Sequence, residues 1–138
     1  MKFTRSIVPV LCLGLVLAAC GDDDPMAPEE QEDDIPSFAT DVQAIFADNG
    51  CIGCHASDRG GLTLTATASV SYGNLVNVAS PATGEIRVIP GNANDSYLVK
   101  KLEGRQTAGA QMPAGGPPLA SADLATIKSW INEGAPNN

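Results

Sequence analysis

Residues 51–55 read Cys-Ile-Gly-Cys-His, two thiols at i and i+3 with an imidazole at i+4. At this spacing both sulfurs and the ring can act on one object from the same side. Four chemistries use such a set. Two thiols can each add to a vinyl group of a haem while the adjacent imidazole reaches the iron, which is the C-x-x-C-H pattern of covalent haem attachment. Structural zinc takes four Cys or His ligands, and beyond residue 20 the chain holds only Cys51, Cys54 and its single histidine, His55. A thioredoxin-like dithiol sits in a βαβ setting, whereas the residues ahead of Cys51 have a helical pattern. A plain disulfide leaves His55 without a role. The expectation is one covalently bound haem c, held through Cys51 and Cys54, with His55 as the proximal iron ligand.

Such residues need elements that hold them in place. Thr40-Asp41-Val42-Gln43 fits a capping box, Val42, Ile45 and Phe46 share a face, and Gly50 can stop that helix just before Cys51. At the far end Ser121 can cap an amphipathic helix with the stripe Leu124, Ile127, Trp130 and Ile131, closed by Gly134 and Pro136. Between them a shorter helix starts at Asn94, Asp95 or Ser96, carries Leu98 and Leu102 one turn apart, and stops at Gly104. Residues 62–65 (LTLT) and 86–89 (IRVI) could each form a short strand, without the pattern of a sheet. The stretches 56–93 and 105–120 are rich in Gly, Pro, Ser, Thr and Asn, and no internal repeat is visible. Loops this long around three short helices imply a further organising element. With aromatics at only 4% of 138 residues, a bulky apolar ligand would fill the deficit.

The first residues read as processing. Lys2 and Arg5 precede an apolar run from Ile7 to Ala19, too short to span a bilayer comfortably, and the run ends in Leu17-Ala18-Ala19-Cys20. This resembles a bacterial lipoprotein signal, which implies cleavage before Cys20 and acylation of that cysteine. The alternative is an ordinary signal peptide cut near Ala19. Both readings place the protein outside the cytoplasm. Residues 20–36 then form a tether whose run GDDDPMAPEEQEDDIP has a composition that stays disordered. Removing the leader takes two of the 8 basic residues and none of the 16 acidic ones, for a net charge of −10. Half of that acid lies in the tether, so the domain at 37–138 is near neutral and a nucleic-acid partner is not expected.

Residues 37–137 resemble the class I c-type cytochromes, and more closely the single-haem cytochrome c domains of planctomycetes and related bacteria. The resemblance rests on DVQAIFADNGCIGCH, Gly60-Gly61-Leu62, Val88-Ile89-Pro90-Gly91 leading to Ser96-Tyr97-Leu98-Val99-Lys100, Gln111-Met112-Pro113, and the ending from Leu124 to Gly134. It implies an all-α, cytochrome c-like fold: three or more short helices with long loops wrapped around one haem, the first and last crossing through Phe46 and Trp130. It also implies an apolar lining from Ile52, Leu62, Leu64, Ile89, Pro90 and Leu98.

The distal iron ligand implied by the family pattern is Met112, in the loop TAGAQMPAGGPP. Met1 leaves with the leader and Met26 lies in the tether. Lys100 and Lys101 are the alternatives. Tyr97, Trp130, Arg59 and Arg87 are further candidates, for contacts to haem propionates. The expected role is electron transfer between redox partner proteins, without enzymatic activity, by a lipid-anchored domain on the periplasmic side, with the outer membrane or cell surface ahead of the inner membrane. Two other roles stay open: a haem enzyme or gas-binding or sensory module with a labile sixth ligand, and a haem-stacking structural subunit.

Overall fold

The computed structural model describes residues 35–138. The expected leader (1–19), Cys20 and all of the tether but its last two residues lie outside the described residues. Where description begins, Ser37 caps the first helix, one turn earlier than the Thr40 reading placed the cap. Its Oγ accepts the Thr40 N–H at 3.4 Å, and the Asp41 carboxylate accepts the Ser37 N–H at 2.7 Å. That is the reciprocal closure of a capping box, made by Ser and Asp rather than Thr and Gln. The first turn, Phe38–Val42, is wound as a π-helix and runs into α1, Gln43–Asp48. Gln43, no longer a capping residue, is buried, and its Nε2 donates to the Thr65 carbonyl at 2.6 Å.

Gly50 ends this helix in the left-handed region, at φ 71, where a Cβ would be strained. The chain then enters α2, Cys51–His55, without a loop. Helix α3, Ala68–Gly73, has no counterpart in the sequence reading, because its six residues (ASVSYG) are too few and too polar to show a period. Helix α4, Tyr97–Glu103, starts after Ser96 and stops at Gly104 as its signals indicate. Helix α5, Ser121–Asn132, departs in one detail. Ala120 occupies its N-cap, and Ser121 is the first helical residue and caps nothing.

Helix α5 buries Ile127, Trp130 and Ile131 completely and packs on the first turn of the N-terminal helix and on α4. The meeting of first and last helices was expected through Phe46 and Trp130. Instead Phe38 lies against the indole, with ring centroids 5.1 Å apart, and Phe46 and Tyr72 stand edge-on to Phe38 at 6.4 and 5.2 Å. The earlier start of the helix is the reason, since it brings a fully buried aromatic into the crossing. Five α-helices and no strand among the described residues make this an all-α domain. Residues 86–89 form only isolated bridges, Val88 with Val76, Ile86 with Ala79, and Ile89 with Asn92.

Candidate functional site

Because Gly50 turns directly into α2, the motif is helical from its first residue, and Cys51, Cys54 and His55 occupy neighbouring positions on one turn. Cys51 is half-buried and Cys54 exposed, and both thiols are free. Burial pushes the Cys51 thiol above its ordinary value, and the charge of nearby Cys54 would raise it further. Among the described residues no three His, Cys, Asp or Glu side chains gather as a metal-binding group.

His55 is oriented from the segment that follows it. After α2 the chain reverses through Asp58, Gly60 and Gly61, all at positive φ, and Leu62 returns with its carbonyl 3.2 Å from His55 Nδ1. With the ring proton on Nδ1 donated to that carbonyl, Nε2 carries the free lone pair. The Leu64 N–H closes the return by donating to the His55 carbonyl at 3.0 Å. A backbone carbonyl holding the far nitrogen is the usual support of a metal-ligating histidine. The Gly60-Gly61-Leu62 run was the visible sign of this turn; the Leu62 carbonyl itself has no sequence signature.

Residues 61–65 resolve the LTLT expectation. The backbone is extended at Leu62, but no strand lies beside it among the described residues. Side chains pair its carbonyls instead. Arg87 donates from Nη2 to Gly61 O, Asn74 from Nδ2 to Thr63 O at 3.0 Å, and Gln43 and Ser71 both donate to Thr65 O. Arg87 also reaches Asn74 O from Nη1 at 2.7 Å. It is buried, and desolvation draws its pKa below the ordinary value. A charged group taken out of water needs partners of this kind, so Arg87 is a backbone clamp rather than a free cation. Arg59 by contrast is exposed. The Trp130 indole N–H donates to Pro136 O at 2.9 Å and the Tyr97 hydroxyl to Ala108 O at 3.2 Å, so both polar tips have backbone partners.

Met112 approaches the same core from a different direction. Its N–H donates to the Lys101 carbonyl at 2.9 Å, so its hydrogen bond runs to α4 and not to the motif. Its side chain is half-buried and packs on the core, as do those of Cys51, Ile52, Leu62 and Leu98. Of the remaining residues expected in an apolar lining, Leu64 is buried in the core, Ile89 is half-buried and Pro90 is exposed. The alternative ligands have other partners: Lys100 Nζ pairs with Glu85 at 2.5 Å, and Lys101 Nζ donates to the carbonyls of Ala108 and Ala110. Two surface hollows of about 490 and 440 Å³ lie beside α5 and the first helix, the former lined in part by Lys128 and Glu133, the latter by Thr40 and Asp123. Neither includes a motif residue or Met112.

Comparison with protein-family models, with curated proteins and with solved structures returned no match. The reading of the site therefore rests on its donor set. Two free thiols on one helical turn and an adjacent imidazole whose Nδ1 faces a carbonyl are the donor set that a covalently attached haem would use. They do not fit a four-ligand zinc site, which needs one more Cys or His than the described residues supply.

Proposed function

We propose that this chain is a lipid-anchored, extracytoplasmic monohaem c-type cytochrome with a cytochrome c-like fold, acting in electron transfer through a His/Met-ligated haem. The observation that carries the reading is α2, where Cys51, Cys54 and His55 fall within one helix of five residues and His55 Nδ1 faces the Leu62 carbonyl. Haem iron, when bound, supplies one-electron exchange. The protein's part is attachment, orientation and enclosure. Cys51 and Cys54 would hold the group through thioether bonds formed by addition of each thiol to a vinyl group, and the Leu62 carbonyl, by accepting the hydrogen bond from Nδ1–H, would leave His55 Nε2 free as the proximal ligand. Met112, the only methionine among residues 35–138, would supply the distal thioether, a ligand type that favours reduced iron and leaves small ligands no open site. A site closed on both sides suits a carrier rather than an enzyme. The lipobox-like LAAC at 17–20 and the acidic run behind it support an anchor at Cys20 and a domain held off the membrane surface, on the periplasmic side and with the outer membrane or cell surface favoured. Its partners are then redox proteins.

The test is the visible spectrum of the purified protein and of Met112→Ala, each with and without carbon monoxide. The wild type is expected to show covalent haem and no carbon monoxide adduct. Met112→Ala should keep the covalent haem, bind carbon monoxide in the ferrous form, and lower its midpoint potential by about a hundred millivolts or more, within the roughly 0.8 V that axial ligands span. A wild-type protein that binds carbon monoxide readily, with Met112→Ala indistinguishable from it, would overturn the carrier reading.

A further inference from the structure

The loop leading to Met112 is fastened to α4 at alternate residues, and one residue makes three of the bonds. Lys101 Nζ donates to Ala108 O at 3.0 Å and to Ala110 O at 2.7 Å, while the Lys101 carbonyl accepts the Met112 N–H at 2.9 Å. Two neighbours reinforce the junction. The Tyr97 hydroxyl shares the Ala108 carbonyl, and Gln111 Nε2 donates to Leu102 O at 3.0 Å. The ammonium has no carboxylate partner among the described residues and stands 5.9 Å from the Tyr97 ring centroid. Space is tight around it: a Cβ added at Gly109 would come within 3.1 Å of Nζ. Without these bonds the segment 106–111 would have little to fix it, since it is a run of small and polar residues that buries no side chain fully.

We propose that Lys101 is the positioning residue for Met112, its ammonium gathering the 108–110 carbonyls so that the thioether is presented at one fixed place. The inference rests on Met112 being the distal ligand, and it assigns Lys101 a role that is not ligation. A sixth ligand on a glycine-rich loop is only as firmly placed as the loop. Fixing its backbone at 108, 110 and 112 sets the balance between a closed and an open sixth position.

The experiment compares the holoprotein of wild type, Lys101→Met, Lys101→Arg, Met112→Ala and the Lys101→Met/Met112→Ala double variant. It reads carbon monoxide binding to the ferrous form, midpoint potential, and amide hydrogen exchange at Met112. Losing two hydrogen bonds to a charged donor should raise the open population of Lys101→Met about 5–30-fold over wild type, with the potential moving in the direction of Met112→Ala by a smaller amount. Exchange at the Met112 amide should accelerate by a similar factor. Lys101→Arg keeps the charge and donors and should recover most of the closed state. In the Met112→Ala background the Lys101→Met change should have no further effect on carbon monoxide binding, as required of a residue that acts through Met112. If Met112→Ala opens the site while Lys101→Met leaves binding and exchange as in wild type, the positioning role is wrong and the ligand assignment stands. If Met112→Ala has no effect, the ligand assignment has failed and the role built on it falls too. Should Lys101→Met not fold, Lys101→Gln, which removes the charge and shortens the reach to the two carbonyls, carries the same comparison.

Discussion

The aromatic end of the domain and the frame around the motif are built on different principles. At the aromatic end Phe38, Phe46 and Trp130 are no more than 2% exposed, and Tyr72 stands edge-on to Phe38 and Trp130. The polar tips of this cluster are satisfied by the last turn of chain, Tyr72 on Ala135 O and Trp130 on Pro136 O, both at 2.9 Å. Burial of large apolar area drives that end, and burial is non-directional. Away from that end, the backbone at 61–65 is held by directional bonds from Gln43, Ser71, Asn74 and Arg87, and the loop at 108–112 is held to α4 by Lys101 and Tyr97. The first region has a core of its own. The second is held by hydrogen bonds to backbone carbonyls, and its apolar side chains are only partly covered by the core they pack on.

The largest effect that could break this contrast comes from Cys51→Ala combined with Cys54→Ala. Removing both attachment points should leave little folded protein, seen by circular dichroism of the secreted variant as reduced helix signal and a broad melt. A native-like signal with a sharp transition would mean that the aromatic end suffices to fold the whole domain.

Next in size is Trp130→Ala. Truncating a fully buried indole should cost about 3–5 kcal/mol by denaturant titration, the transfer loss and the cavity together. Such a loss is a large part of the stability of a domain this small. Because the aromatic end anchors both termini of the domain, the motif frame should melt in the same transition; a separate later transition for the frame would show the two regions to be independent.

The smallest effect sharpens the comparison from the surface. Glu103 of α4 pairs with Lys128 of α5 at 2.9 Å and with Arg105, and the hydrogen bond from Lys128 is the main cause holding its carboxyl below the ordinary value near 4.5. A depressed carboxylate stabilises the fold above its unfolded pKa, and that contribution is lost as pH falls through the folded value. Glu103→Gln should therefore cost about 0.2–1 kcal/mol near neutrality, given how exposed the pair is, and the gap from wild type should close as the pH is taken below 4.5. A gap that stays constant across that range would assign the effect to packing rather than charge.

The helices were legible to the extent that they had a period. The stripe Leu124, Ile127, Trp130 and Ile131 located α5, and Gly50 and Gly104 marked two helix ends, because a left-handed residue without a Cβ penalty leaves its sign in the sequence. Caps were less legible. Several Ser, Thr and Asp residues stand near each start, and which one closes the turn depends on tertiary packing: burial of Phe38 favours Ser37 over Thr40 for the first helix. The LTLT segment shows the limit of periodicity. Alternation suggested a short strand, and the backbone is extended at Leu62, but it carried nothing about what would pair the carbonyls, and side chains from four other places do so.

By itself the sequence determined which groups a candidate site in this domain can draw on. Two thiols, one imidazole and one methionine are the only groups of their kinds in the domain, and covalent spacing within a single turn is local, so Cys51, Cys54 and His55 were bound to lie together once the turn was helical. The tertiary structure decided how those groups are held. It brought the Leu62 carbonyl to His55 Nδ1, buried Arg87 as a clamp on Gly61 and Asn74, and tied the Met112 loop to α4 through Lys101. These contacts join a side chain to a backbone carbonyl, and every residue type has the same carbonyl. No pattern of side chains could have announced them.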